Sequence, residues 1–175
     1  MGRAYDALRS LGGLAAPMFL MLAGLLSFPR PVVIACTGHA IAMGSFLVLS
    51  GDHRIGVSDG GHKIGATEVA IGMAMPWAAV EILRQRLTRA AFDRATYLAE
   101  VFPPEAAVEA GFLDEVVPAD RVLIRAREVA TRLATLDGKA HHVTKQRGRA
   151  AMLETLSAAI QRDDDEFRAA IAAQS

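Results

Sequence analysis

A chain of 175 residues is long enough for one domain with a sizeable core. Nineteen Lys and Arg balance nineteen Asp and Glu, so nothing marks a nucleic-acid binder, and the zero net charge removes one protection against self-association. Hydrophobic residues reach 52% with only 6% aromatic, which suits tightly packed helices or a buried subunit interface. The lone Cys36 excludes an intrachain disulfide framework and reads as a buried apolar residue in a reducing cytoplasm.

Residues 1–28 read as helix with a break near Gly12-Gly13. The stretch Leu11 to Phe28 carries no charge over eighteen residues and follows Arg3 and Arg9. A signal peptide or marginal membrane span is one reading of it. Pro17 and three glycines weaken that reading, no A-x-A site follows, and Met18, Leu22 and Leu25-Leu26 recur at the spacing of a core helix. Phe28-Pro29-Arg30-Pro31 is an extended entry, because a proline pushes its predecessor out of helical geometry.

An apolar β-branched run predicts a strand at 32–36. It ends in Thr37-Gly38-His39, and a second turn, Ala42-Met43-Gly44, launches a buried helix at 44–50. The free N–H groups that open such a helix, with its dipole, favour an oxygen that becomes negative during a reaction. A strand at 54–57 and the turn Ser58-Asp59-Gly60-Gly61 follow. Lys63-Ile64 is a short pairing segment, and residues 71–76 form a loop closed by Pro76. Helices are expected at 78–87, at 89–99 with Thr88 as its cap, and at 103–110 with Gly111 ending it. A strand at 112–117 stops at Pro118, and two amphipathic helices, near 119–136 and 139–172, finish the chain. The alternation argues an α/β class with a helical C-terminal third.

Five motifs occur in order: P-V-V-x-A-x-x-G-x-A, G-D-x-R-I, T-E-V-A-I-G-M, A-V-E-A-G-F-L-D-E-V-V-P and A-x-x-x-T-K. Together they resemble the enoyl-CoA hydratase/isomerase (crotonase) superfamily from about Leu25 to the C-terminus. The resemblance implies a spiral core of ββα units over residues 1–118, incomplete at its N-terminus, and a helical oligomerisation region over 119–175. It implies a cytoplasmic homotrimer or hexamer in fatty-acid metabolism that acts on an acyl-CoA or enoyl-CoA. Coenzyme A is then part of the substrate, with no separate cofactor, no metal and no membrane partner.

By the same resemblance Met43 contributes a backbone N–H to an oxyanion hole. Ala40, Ala42, Gly44, Phe46, Met73 and Trp77 line the substrate, and Lys145, Arg147 and Arg149 are positions for coenzyme phosphates. Family members usually carry a run of glycines where this chain has Ala42-Met43-Gly44, so the turn is expected to use dihedrals open to other residues. The second oxyanion donor, from an upstream G-x-D-L segment, is not in the sequence, which marks the chain as truncated relative to the family.

Hydratases of this family use two glutamates. Phe46 occupies the first position and Glu68 the second. Glu68 lies between apolar Ile64 and Val69-Ala70-Ile71, so burial is expected to raise its pKa toward neutrality. One base suffices to move a double bond by taking an α proton and returning it at the γ carbon, whereas hydration needs a held and deprotonated water. Isomerisation is the expected chemistry; a hydratase and a non-catalytic acyl-CoA binder are the alternatives. His39, His53, His62 and His141-His142 share no ligand spacing, and Asp163-Asp164-Asp165-Glu166 reads as a solvated helix face. Arg84, Arg86, Arg89 and Arg94 read as surface or contact residues that also come within the range of coenzyme phosphates.

Overall fold

The computed structural model describes residues 16–173. The Gly12-Gly13 break lies outside them. Helix α1 covers residues 16–27 and buries Phe19, Leu22 and Leu26, so the core-helix reading holds with Phe19 rather than Met18 on the inner face. No helix among the described residues is long and apolar enough to cross a membrane.

After α1 the chain takes the same ββα step twice. The first step is β1 (Val33–Cys36), β2 (Ala40–Ile41) and α2 (Met43–Leu49). The second is β3 (His53–Val57), β4 (Ile64–Gly65), a 3-10 turn (Val69–Ile71) and α3 (Trp77–Arg86). The steps stack in parallel, with Val33 opposite His53 and Ala40 opposite Ile64. The short β2 falls between two turns and has only two residues, too few for any periodicity to reveal. Helices α4 (Arg89–Tyr97) and α5 (Pro104–Ala110) lead to β5 (Glu115–Val117), which completes a three-stranded parallel sheet in the order β1-β3-β5. The last strand is shorter than expected because the Phe112 and Leu113 N–H groups both bond to the Ala107 carbonyl, hooking the end of α5. Gly111 closes α5 at φ 98°, and a Cβ there would meet the Arg86 carbonyl at 2.5 Å.

A 3-10 turn (Ala119–Arg121), α6 (Val122–Leu133) and the 35-residue α7 (Gly138–Ala172) follow. Helix α6 places Val122 and Val129 on Ile55 and Val57 of the sheet. Helix α7 runs along α3 and places Leu156 and Ile160 in the main core with Phe46, Leu49, Ile82 and Leu83. Both C-terminal helices are thus packed into the body that ends near residue 118.

Two motifs that carried the resemblance have scaffold roles. Arg54 forms a fork on Asp114 (Nε–Oδ2 2.9 Å, Nη2–Oδ1 2.7 Å) and donates to the Gly111 carbonyl, fastening β3 to the segment before β5. Asp52 accepts from Val32 N–H (2.8 Å), Lys145 Nζ (2.6 Å) and Arg149 Nη2 (2.8 Å), fastening the end of α2 to α7.

Ala42, which opens α2, sits at φ 53°, ψ −123°. That is glycine territory, so the expectation of a turn suited to other residues is overturned at this position. A left-handed alanine stores about 1–3 kcal/mol of strain. Replacing it with Gly removes that strain at an entropic cost of about 0.5–1 kcal/mol. Ala42→Gly is therefore expected to raise stability by about 1 kcal/mol in urea unfolding.

Candidate functional site

The parallel pairing of β2 with β4 builds the site. The Ala42 N–H donates to the Gly65 carbonyl at 2.9 Å. One residue beyond Ala42 helix α2 begins, and three residues beyond Gly65 comes Glu68. Both therefore leave the carboxyl ends of neighbouring parallel strands, as in other α/β crevices. The Ser45 and Phe46 N–H groups bond to the Ala42 carbonyl, whereas the Met43 and Gly44 N–H groups have no partner among the described residues, as for the first turn of any helix. A Cβ built on Gly44 meets nothing within 4 Å, so this backbone faces open space. The Met43 side chain packs against the main core, which leaves its amide for other use.

Glu68 is 6% exposed, and its Oε2 is buried without a hydrogen-bond partner among the described residues. Burial raises its pKa above the usual glutamate value, partly offset by its own N–H and that of Thr67. The turn holding it is closed by the Ile71 and Met73 N–H groups, both bonded to the Glu68 carbonyl. This half-buried Met73 is thereby fixed beside the carboxylate-bearing residue. Ala40, in β2, is 3% exposed and its side chain belongs to the main core, which corrects its assignment as a substrate-lining side chain.

Phe46 is 1% exposed and stacks on Phe19 of α1 at 6.1 Å. Its ring belongs to the core, which corrects its assignment as a substrate-lining side chain. Leu49, three residues on, lies on the same helix face as Phe46 and is buried with it.

Trp77 remains 42% exposed at the start of α3, and the reading of the acidic run beside it also needs correction. Asp163 on α7 accepts from the Trp77 and Ala78 N–H groups, both at 2.9 Å, and so caps α3 from another helix. The indole N–H of Trp77 donates to Glu166, and the Arg162 guanidinium lies 3.6 Å from its ring centre. Pro76 supplies no side-chain cap of its own. Removing the borrowed cap by Asp163→Ala is expected to cost about 0.5–2 kcal/mol. Thermal unfolding measures it, with Trp77 fluorescence reporting the loosened loop.

The proposed phosphate residues separate. Lys145 and Arg149 are buried and engaged with Asp52 and with the carbonyls that end α1, so a phosphate role for Lys145 would require breaking that pair. Arg147 is exposed and has no partner among the described residues. Arg84 and Arg94 lie over the Phe92 and Phe102 rings, and Arg86 bonds to the Leu49 and Gly51 carbonyls. No group of three metal-ligating side chains gathers among the described residues. Asp52, Arg86 and Asp163 hold positions that local sequence does not reveal; only the G-D-x-R-I spacing hinted at the first.

Residues 12–175 match the family model described as enoyl-CoA hydratase/isomerase. The chain belongs to the enoyl-CoA hydratase/isomerase family. It is 29% identical to the rat mitochondrial enoyl-CoA delta isomerase 1 over 144 residues, covering 82% of this chain and 50% of that one. An enoyl-CoA isomerase of Mycobacterium tuberculosis superposes with a TM-score of 0.87 at 45% identity, covering 91% of this chain and 70% of that one. An enoyl-CoA hydratase of Mycobacterium marinum superposes with a TM-score of 0.83 at 47% identity, covering 94% and 69%. The same M. tuberculosis protein is named an isomerase in one structure and a probable hydratase in another. The crotonase fold expected from the motifs is thus established, and the chain spans about half the length of the curated relatives it matches.

Proposed function

We propose that this chain carries the proton-transfer half of an enoyl-CoA isomerase site. The observation that carries the reading is the Glu68 carboxylate: buried, raised in pKa, with one oxygen unpartnered, on the strand end that neighbours the free Met43 amide. In this reading Glu68 takes the α proton of a 3-enoyl-CoA. The electron pair moves onto the thioester oxygen, where the Met43 N–H stabilises it. The carboxylic acid then returns the proton at the γ carbon, and the conjugated 2-enoyl thioester leaves. Phe46, packed on Phe19, offers no second carboxylate to hold a water, which favours isomerisation over hydration. The isomerase name of the rat relative supports the same choice.

Substrate contact by Ala42, Gly44, Met73 and Trp77 belongs to this reading, with Arg147 as the cation left available for a coenzyme phosphate. So does assembly as a trimer or hexamer, for which the exposed Leu20 and Met21 of α1 offer an apolar face. The test is absorbance of the conjugated thioester with purified protein. Its growth from a 3-enoyl-CoA supports isomerisation. Its decay from a 2-enoyl-CoA would make the chain a hydratase, and no change in either, from folded protein, would leave an acyl-CoA binder.

A further inference from the structure

Residues 69–76 join Glu68 to α3, and both ends of that segment are tied. At the near end the Ile71 and Met73 N–H groups bond to the Glu68 carbonyl, at 3.1 and 3.0 Å, and Gly72 turns the chain at φ 78°. At the far end Trp77 and Ala78 are tied to α7. Asp163 takes the Trp77 N–H on Oδ1 and the Ala78 N–H on Oδ2, and Glu166 takes the indole N–H at 3.0 Å. Arg162 lies on the indole face and reaches the same Glu166 oxygen at 3.1 Å. Between these ties Val69 to Gly72 and Ala74 are exposed, while Met75 packs against the main core. A segment with so few buried contacts takes its position from its ends.

Glu68 depends on that position in two ways. A base must lie within hydrogen-bond reach of the proton it takes. Its pKa is raised first by burial, offset by the Glu68 and Thr67 N–H groups, and no charged side chain is among the causes. Water admitted beside the carboxylate would undo the effect of burial.

We infer that Asp163 is a positioning residue for Glu68: by capping α3 from α7 it fixes the far end of the 69–76 segment and, through the Met73 N–H, the turn that holds the carboxylate. Asp163 touches no reacting atom. Its charge is not among those acting on Glu68, so a change in Glu68 titration on its removal reports changed burial. The inference rests on Glu68 as the base of the reaction proposed above.

The test is the isomerase rate against pH for Asp163→Ala and Asp163→Asn. Asp163→Ala should lower the rate roughly 10–100-fold, the scale of a small misplacement made away from the chemistry. Its acid limb should move to lower pH as Glu68 becomes hydrated. Asp163→Asn, an equal cap by residue type, should restore both. Asp164→Ala removes a neighbouring carboxylate that pairs with Arg168 on α7 itself, and should change neither. An unmoved acid limb in Asp163→Ala, at full or reduced rate, makes Asp163 a structural cap and overturns the inference, as does equal loss in Asp163→Asn. If Asp163→Ala does not fold, Glu166→Ala, at a mostly exposed side chain, decides by the same two readings. A parent chain without isomerase activity would remove the reading of Glu68 as base. Carbon NMR titration of the Glu68 carboxyl, assigned against Glu68→Gln, then still reads its placement. A titration that moves down in Asp163→Ala keeps Asp163 as the residue that holds Glu68 buried, and one that stays overturns it.

Discussion

Glu68→Gln is expected to lower the rate of conjugated thioester formation from a 3-enoyl-CoA by roughly 10²–10⁴-fold, the range for a lost general base. The amide keeps the shape and burial of the side chain but cannot take a proton. KM should change little, since the coenzyme and the Met43 amide are untouched. The pH profile supplies an independent check. The base acts as the carboxylate, so activity should fall as pH drops through the Glu68 pKa, at a higher pH than an exposed glutamate would give. Stability should move the other way. A carboxyl whose folded-state pKa is raised favours the folded state below its unfolded pKa, and that contribution disappears as pH rises through the folded value. Above the folded-state pKa the wild type therefore holds a costly buried charge. Glu68→Gln should melt higher than wild type there, with the gain fading as pH falls through that value. A variant that loses activity and melts lower would deny the burial argument, and one that keeps full activity would remove Glu68 from the mechanism.

Asp52→Ala is expected to cost about 3–5 kcal/mol, the cost of leaving buried charge unpaired. Its carboxylate is the shared anion for Lys145 and Arg149, and burial already pulls the Lys145 ammonium below the usual lysine range in spite of Asp52. Without Asp52 two buried cations face each other. Lys145→Met should cost clearly less, because Arg149 keeps its partner and the replacement is apolar. Urea unfolding of both variants distinguishes a charge-compensation role from simple packing. Equal losses would mean that Asp52 contributes only its bond to the Val32 N–H.

The elements that sequence revealed best are those whose causes are local. Thr88 and Gly111 cap their helices as expected because a cap depends on a few neighbouring atoms. Helix α3 was expected at 78–87 and covers Trp77–Arg86, and Glu68 was legible in its apolar neighbours and its motif. The strand β2 was not visible, because two residues between turns carry no period and are strands only through β4. Phe46 was legible as an absent carboxylate. Its place in the core was not, since that depends on Phe19 from another helix.

The charged residues divide most clearly. An acidic run at 163–166 is by composition a solvated face, yet Asp163 caps a helix more than eighty residues away. Lys145 and Arg149 resemble free cations in sequence and are structural ions in the fold. By itself the sequence determined the α/β class through its patterning, and the family through the resemblance of five motifs taken in order. Both rest on residues that are neighbours along the chain. Tertiary structure alone decided which charges are paired, and that the turn opening α2 and the turn carrying Glu68 leave neighbouring parallel strands. Burial and partnership depend on what distant segments bring to the same few ångströms.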